Sequence, residues 1–459
     1  MSMGIYLFFI SYQIVQIIAL PFVCVYLLVR KFKKKPVFGN FAQRCGLLVP
    51  VPDKNRTVVW IHAVSVGEVL ATERLINQIK QEWPGSVCYV TTGTLQGKKM
   101  AEQHLKADYI SFIPYDFLIP LCIAFKRINP KVIMIMEAEL WPNLLMLAHF
   151  KKIPLYSLNA RFNATSLKKR WLVKSFLAFL NGLFDHIFVQ SVKDQKAFEA
   201  LLIPQEKISV LGNIKAFNVQ AKKEATLKEA KLMPEMYRQK RMIEVDHQQF
   251  GHPFILLVGS VHPGELDVYL ELFKQLKQKH QKIKMILAPR HFHWKKELIE
   301  KVQASGFSPF LWDESVSVGT QVLDVWEKIV HQVFKQADIL IMCTLGTLFN
   351  LYPLADIFYL GGTFVPVGGH NLLEPAVWAV PSFVGPYYRN CKEIADQLEF
   401  VHALLKVKTG DELFEKTNFL LNNSQEITKM SKNTENWFTQ EVAFVTAQLN
   451  EKLFNKLLL

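Results

Sequence analysis

Acids, cations and glycines cluster at a few points of this chain, each directly after a short apolar run. The segment His62-Ala63-Val64-Ser65-Val66-Gly67-Glu68 passes from strand-type residues into an amphipathic stretch, which sets Gly67 at a turn and Glu68 in the first turn of a helix. The positive end of the helix dipole favours an ionised carboxylate there by about 0.3–1 kcal/mol. Such a group could act as a base, or simply complement the helix start. Met136-Glu137-Ala138-Glu139-Leu140-Trp141-Pro142-Asn143 adds two carboxylates after another apolar strand. If the extended geometry persists, Glu137 and Glu139 point the same way; if a helix starts at Leu140 they diverge, and either could be a cap.

Cationic groups recur in the same position. Asn213-Ile214-Lys215, Gly259-Ser260-Val261-His262-Pro263-Gly264-Glu265 and Pro289-Arg290-His291 each follow an apolar run. Lys and Arg so placed suit a phosphate or a carboxylate, although a lone surface Lys is ordinarily just solvated. Gly361-Gly362-Thr363 precedes Gly368-Gly369-His370-Asn371-Leu372-Leu373-Glu374-Pro375-Ala376. Glycines allow close backbone approach, and a helix expected to begin near Asn371 would offer free N–H groups to a phosphate. Glu374 could then accept hydrogen bonds from a ribose diol, or be an acid at a helix start.

Absent motifs narrow the chemistry. The chain has no G-x-x-x-x-G-K-[ST], no G-x-G-x-x-G after its first strand, no G-x-S-x-G and no H-E-x-x-H, which argues against P-loop hydrolysis, hydride transfer, esterase and zinc-protease reactions. No D-x-D occurs, so a carboxylate pair that would hold Mg²⁺ against a nucleoside diphosphate is missing. No metal site is expected. The six cysteines, at 24, 45, 88, 122, 343 and 391, show no C-x-x-C spacing, so reduced thiols are expected.

The elements that must position these groups follow from hydrophobic pattern. Apolar runs rich in Val and Ile alternate with helix-length amphipathic stretches, the pattern of parallel sheets wrapped by crossover helices. One set of strands is expected at Thr57–Ser65, Val87–Thr92, Tyr109–Pro114, Val132–Met136, Pro154–Leu158, His186–Gln190 and Ile208–Gly212. A second is expected at Phe254–Ser260, Ile283–Pro289, Ile339–Cys343, Ile357–Leu360 and Pro381–Val384. The polar stretch Ala221–Gly251 separates them and reads as a linker. Two doubly wound domains then predict a cleft at the carboxyl ends of both sheets. The expected division is 1–35, 36–218, a linker over 219–251, and 252–459.

The first of these segments carries a different signal. Ile5 to Val29 holds no formal charge and is followed by Arg30, Lys31 and Lys33 to Lys35. Roughly 20 apolar helical residues can span a hydrocarbon core, and basic residues after rather than before the run favour an uncleaved anchor with the rest of the chain in the cytoplasm. With 459 residues, 50% of them hydrophobic and 20% charged, the chain is a folded multidomain protein rather than a disordered polymer. Lys+Arg 54 against Asp+Glu 40 gives a net charge of +14, which suits anionic company in general.

H-A-V-S-V-G-E at 62 to 68, T-T-G-T at 91 to 94, P-Y-D at 114 to 116, E-A-E-L-W-P-N at 137 to 143, L-N-A-R at 158 to 161, G-N-I-K at 212 to 215, P-R-H at 289 to 291 and G-G-H-N-L-L-E-P-A at 368 to 376 resemble, in this order, the 3-deoxy-D-manno-octulosonic acid (Kdo) transferases of lipopolysaccharide synthesis. The resemblance implies an α/β GT-B glycosyltransferase: two Rossmann-like domains facing a cleft, behind an N-terminal transmembrane helix in the bacterial inner membrane. It implies inverting transfer of Kdo from CMP-Kdo to a lipid A precursor, without metal or cofactor. The partners implied are these two substrates and the anionic membrane surface, with no nucleic acid. Under it Glu68 is the general base, and Glu137 and Lys215 support the transition state. Pro289 and Arg290, Leu345, Gly346 and Thr347, and Asn371, Leu372, Leu373 and Glu374 bind the CMP of the donor. Where the family has acids, this chain has Cys343 and Thr347, so contacts from those side chains are lost. The alternative is a membrane-anchored lipid A binder of the same fold that no longer uses the donor.

Overall fold

Apolar runs of three to eight residues, each closed by a polar or glycine-bearing segment, are too short for helices and form strands in a computed structural model of the chain. The structure describes residues 3–32, 40–53, 55–137, 139–162, 171–229, 253–314, 316, 328–344 and 346–454. The chain divides into two units: Met1–Asn218 together with Ala443–Leu459, and Val219–Val442.

The first unit is built on β1 (Val58–Ala63), β2 (Val87–Thr92), β3 (Tyr109–Phe112), β4 (Val132–Met136), β5 (Leu155–Ala160), β6 (His186–Val189) and β7 (Ile208–Val210), in sheet order β3-β2-β1-β4-β5-β6-β7. All pairings are parallel. A parallel sheet is covered on both faces, which explains why β1 (VVWIHA) and β4 (VIMIM) are buried at every residue instead of alternating. The chain winds outward from β1 to β3, then returns to start β4 on the other side of β1. This reversal makes the β1/β4 boundary the topological switch point, where the carboxyl ends of such sheets leave a crevice.

The second unit repeats the plan with β8 (Phe254–Val261), β9 (Ile283–Pro289), β10 (Pro309–Trp312), β11 (Ile339–Met342), β12 (Ile357–Leu360), β13 (Ser382–Val384) and β14 (Leu404–Lys406), in order β10-β11-β9-β8-β12-β13-β14. Its pairings are parallel too, and its switch point lies between β8 and β12. The sequence reading missed β10 and β14. Both are edge strands: PFLW carries no Val or Ile, and Leu404–Lys406 spans three residues, so neither shows the buried apolar run of a central strand.

Two expectations about organisation need correction. The residues assigned to a linker are helical as far as Glu229, within the helix Lys215–Glu229, while 230–252 lie outside the described residues. At the other end, Ala443–Leu459 belongs to the first unit, where Phe454 meets Trp83 with ring centroids 5.8 Å apart and Asn450 accepts from Gln78. An amphipathic helix announces that it covers a sheet, but not which one.

The expected membrane-spanning segment is also corrected. Met3–Phe32 forms one helix containing Pro21, but among the described residues no helix is long and apolar enough to cross a membrane. One side of this helix is docked on the first unit through polar groups. Tyr12 donates to Asp116 Oδ2 (3.1 Å), Gln13 Nε2 to Asn143 Oδ1 (2.6 Å) and Gln16 Nε2 to the Asp116 carbonyl (2.7 Å). Phe8 packs on Phe179 at 4.3 Å between centroids. The other side exposes Leu7, Ile10, Ile14, Ile17, Ile18 and Phe22. That arrangement gives one apolar face and one protein-bound face, which is amphipathic rather than apolar all round. The basic residues Lys33 to Lys35 lie outside the described residues.

Candidate active site

At the first switch point the sequence builds an acidic edge. Ser65 caps the helix Val66–Ala71 by accepting from the Glu68 N–H at 3.4 Å. Glu68 returns the contact: its Oε1 accepts the Ser65 hydroxyl at 2.7 Å and its Oε2 the Val64 N–H at 2.8 Å. This is a variant of the capping box in which the carboxylate reaches the Val64 N–H and the cap hydroxyl, so the helix-start role open from the sequence is realised. The side chain is only 6% exposed, and each oxygen retains a second lone pair. Beneath it His62 is fully buried, with Nδ1 3.1 Å from the Thr91 carbonyl oxygen and hydroxyl and Nε2 without a partner; burial pushes its pKa down to about 4.

Neither geometry foreseen for Glu137 and Glu139 occurs. β4 ends at Met136, the next helix begins at Pro142, and Glu137 sits between them in the left-handed region at φ 58°. That conformation is uncommon for a residue with a Cβ and concentrates at functional positions. It is held by the Glu137 N–H donating to the Leu158 carbonyl (2.7 Å) and by Ser157 donating to the Glu137 carbonyl (3.0 Å). The side chain then meets Lys215, whose Nζ lies 2.7 Å from Oε1. Lys215 follows β7, 78 positions later in the chain. Asn159, at φ 59° on a bulge of β5, joins the same edge: its Oδ1 accepts the Ile214 N–H at 3.3 Å, and its buried Nδ2 has no partner. Burial, reinforced by the Glu68 and Glu137 carboxylates, pushes Glu139 above the usual carboxylate range. Glu68, Glu137, Glu139 and Lys215 are thus gathered at one sheet edge.

The second switch point is cationic. β8 ends in a bulge at Ser260, φ 60°, and delivers His262 and Glu265. Glu265 is fully buried and accepts three backbone N–H groups, from His262 (2.9 Å), Gly362 (2.5 Å) and Phe364 (3.2 Å). It therefore ties the end of β8 to the glycine loop after β12. Gly361 permits the approach: a Cβ there would collide with the Ser260 carbonyl. Pro289 ends β9, and the Arg290 N–H donates to the Val261 carbonyl (2.9 Å), which sets Arg290 beside His262. Gly368 and Gly369, at φ 107° and 71°, turn the chain back so that His370 Nε2 comes within 3.0 Å of His262 Nε2.

The remaining residues expected at a nucleotide are also engaged locally. Asn371 Oδ1 accepts the Leu373 N–H at 2.9 Å, and the helix begins at Leu373, not near Asn371, and runs only to Val377. Part of the anion seat expected at this helix start is therefore taken by Asn371. Leu372 and Leu373 are buried core. Glu374 faces Tyr352 and Lys222; burial raises its pKa against the pull of both. In the loop after β11, Gly346 adopts φ 83° and Thr347 donates to the Thr344 carbonyl at 2.9 Å; Leu345 lies outside the described residues. Cys343 is 4% exposed, with a thiol pushed up to about 11 by burial, so the position usually acidic in the family is core in this chain. Sequence reasoning quoted Glu265, Asn159, His262 and His370 within motifs but gave none of them a role of its own. The two histidines carried a legible signal, since both lie inside glycine-flanked motifs at strand ends.

Two parallel α/β units, each with its own switch point, make up a GT-B-like fold. A glycosyltransferase from Rickettsia africae matches over 88% of this chain and 99% of its own, with a TM-score of 0.56 at 14% identity. UDP-GlcNAc 2-epimerase from Neisseria meningitidis matches over 85% and 100%, with a TM-score of 0.54 at 13% identity. At such identities these likenesses concern the fold alone. The sequence adds a more specific similarity. Residues 39–218 match the family model described as 3-deoxy-D-manno-octulosonic-acid transferase (kdotransferase). The 3-deoxy-D-manno-octulosonic acid transferases of Chlamydophila psittaci and Haemophilus influenzae are each 28% identical, the first over 80% of this chain and 78% of its own, the second over 80% of both. The chain is thus similar to Kdo transferases, through residues 39–218 by the family model and over four-fifths of its length by these relatives.

Proposed function

We propose that this protein transfers Kdo from CMP-Kdo to a lipid A precursor with inversion, using Glu68 as general base. The reading is carried by one observation above the others: Glu68, Glu137 and Lys215, far apart in sequence, converge on the carboxyl edge of one sheet around its switch point. In the proposed step the acceptor hydroxyl oxygen forms a bond to the anomeric carbon of Kdo and its proton passes to Glu68. The Kdo–phosphate C–O bond breaks, and its electron pair leaves on the phosphate oxygen of CMP. A base on the face opposite the leaving group is what inversion requires. Glu139 is held above the usual carboxylate range by burial and by the Glu68 charge, so it stands at the same edge as a second acid coupled to the base. The Glu137–Lys215 pair fixes an ammonium at the same sheet edge as Glu68, where it supports the transition state. Arg290 is an exposed cation that meets the donor phosphate; Pro289, Gly346, Thr347 and Asn371 frame the nucleotide, with Leu372, Leu373 and Glu374 packed behind them.

The lipid substrate accounts for the N-terminal helix. Its exposed apolar side would lie in the interface of an anionic membrane, with the protein-bound side held by Tyr12, Gln13 and Gln16, and the net charge of +14 favours that surface. The test is mass spectrometry of a lipid A precursor incubated with CMP-Kdo and purified protein, beside Glu68→Gln. Addition of Kdo mass that is lost in Glu68→Gln supports the assignment. Lipid bound yet unmodified, under conditions where another Kdo transferase works, overturns it in favour of a binding protein.

A further inference from the structure

The second switch point holds a pair of histidines that the transfer step above does not use. His262 follows β8 and His370 lies in the loop after β12, the two strands that flank the reversal of strand order. Their Nε2 atoms are 3.0 Å apart and the rings stack at 5.3 Å with 13° between planes. Such a contact needs one ring with its proton on Nε2 and one with a lone pair there, so each ring fixes the other's tautomer.

The groups around the pair are cationic or neutral. Arg290 reaches the site from β9, His291 meets His262 edge-on at 5.8 Å, His293 stacks on His291 at 5.8 Å, and Arg389 flanks Gly368 just before His370. The carboxylate beneath them is Glu265, and its oxygens are occupied by three backbone N–H groups. Burial, Arg290 and the neighbouring imidazoles hold both His262 and His370 below their ordinary values, His370 at about 4. The two imidazoles are therefore disfavoured as cations by burial and by the positive groups beside them, and a bound anion would offset both.

We propose that His262 and His370, with Arg290, receive the phosphate of the nucleotide and take up one proton from solvent as that phosphate becomes a dianionic leaving group. This rests on the nucleotide-donor reading above and adds two residues and a proton to it. In CMP-Kdo the phosphate is a diester with one negative charge; in released CMP it is a monoester that carries close to two at neutral pH. The added proton goes to the Nδ1 of the donor ring, turning the Nε2 contact into an imidazolium–imidazole hydrogen bond, which is stronger than the neutral one. The proton abstracted from the acceptor remains on Glu68, so the two proton movements are separate and the charge balances without a metal.

The experiment is calorimetric titration of the full-length protein with CMP at pH 7.5, in two buffers of different ionisation heat, repeated with cytidine and UMP and with His262→Gln and His370→Gln. About one proton taken up per CMP, none with cytidine, and loss of uptake with a roughly ten-fold or greater loss of CMP affinity in either variant is the expected result. Melting curves of the variants separate this from misfolding, and Arg290→Gln, on an exposed side chain, should weaken CMP while leaving the fold intact. CMP binding without proton uptake, or uptake unchanged in both variants, overturns the inference and leaves the donor reading standing. UMP binding with histidine-dependent uptake, where CMP fails to bind, overturns the cytidine donor and keeps the histidine pair. Failure of every nucleotide to bind overturns both.

Discussion

Glu265→Ala tests whether the buried carboxylate builds the nucleotide loop. The wild-type side chain is fully buried and accepts three backbone N–H groups, so alanine leaves three buried donors without an acceptor. Each such donor costs about 1–3 kcal/mol. Water entry and local relaxation recover part of the loss, so the expected destabilisation of the second unit is about 3–5 kcal/mol. For a unit of this size, at about 2–4 °C per kcal/mol, the melting temperature should fall by about 6–20 °C. Glu265→Gln should cost about half as much: it keeps one acceptor oxygen, and it avoids the burial of charge that already pushes Glu265 above the usual carboxylate range. The assay is thermal unfolding followed by tryptophan fluorescence, with Trp294 and Trp378 reporting on this unit. Nucleotide binding should weaken in parallel, because Gly362 and His262 lose their common tether. A stability change under about 1 kcal/mol for Glu265→Ala would refute the reasoning, since the loop would then hold its shape without the carboxylate.

Three further outcomes are expected. Lys215→Met should lower turnover roughly ten- to a hundred-fold while costing under about 1 kcal/mol of stability, since the Glu137 pair is partly exposed; a larger loss of stability than of turnover would mark the pair as structural. Asp116 is pushed up to about 6 by burial, against hydrogen bonds from Asn143, Leu144 and Tyr12. Its folded value lies above its unfolded one, so its contribution is fully present below about pH 4 and is lost as pH rises through about 6, up to roughly 3 kcal/mol. Protection of the helix Met3–Phe32 in hydrogen exchange should accordingly decline between pH 5 and 7, and identical pH profiles for the parent and Asp116→Asn would contradict this. Gly361→Ala should destabilise the second unit by about 1–3 kcal/mol or more through collision with the Ser260 carbonyl, whereas Gly67→Ala meets no atom within 4 Å and should leave stability within about 0.5 kcal/mol of the parent; denaturant midpoints compare them.

Much of the fold was legible because parallel strands advertise themselves. Runs such as VVWIHA and VIMIM are buried on both faces and stay apolar at every position, so composition alone locates them. The strands that escaped, Pro309–Trp312 and Leu404–Lys406, lie at the two sheet edges, where half the hydrogen-bonding neighbours are missing and little apolar burial is required. The N-terminal helix was read as a membrane span because hydropathy counts residues and ignores direction. Gln13 and Gln16 looked like blemishes in an apolar run, yet they are the contacts that dock one face of the helix on the protein.

The site divides in the same way. Local sequence determined that Glu68, Glu137, Lys215 and Arg290 stand at the ends of apolar strands, because strand, turn and helix start are written within a few residues of each. It also showed that Glu68 could serve as the N-terminal acid of a helix, and the capping box with Ser65 realises that. Only the tertiary structure decided which of these residues meet. The order of strands in a sheet, and not the order in the chain, brings Glu137 to Lys215 across 78 positions and His262 to His370 across 108. The left-handed turn at Glu137, the bulge at Ser260 and the role of Glu265, which joins two backbone segments through three N–H groups, likewise depend on hydrogen bonds from residues distant in the chain. Side-chain pattern encodes burial and local geometry, whereas convergence is a property of sheet topology, and chemistry at a switch point requires both.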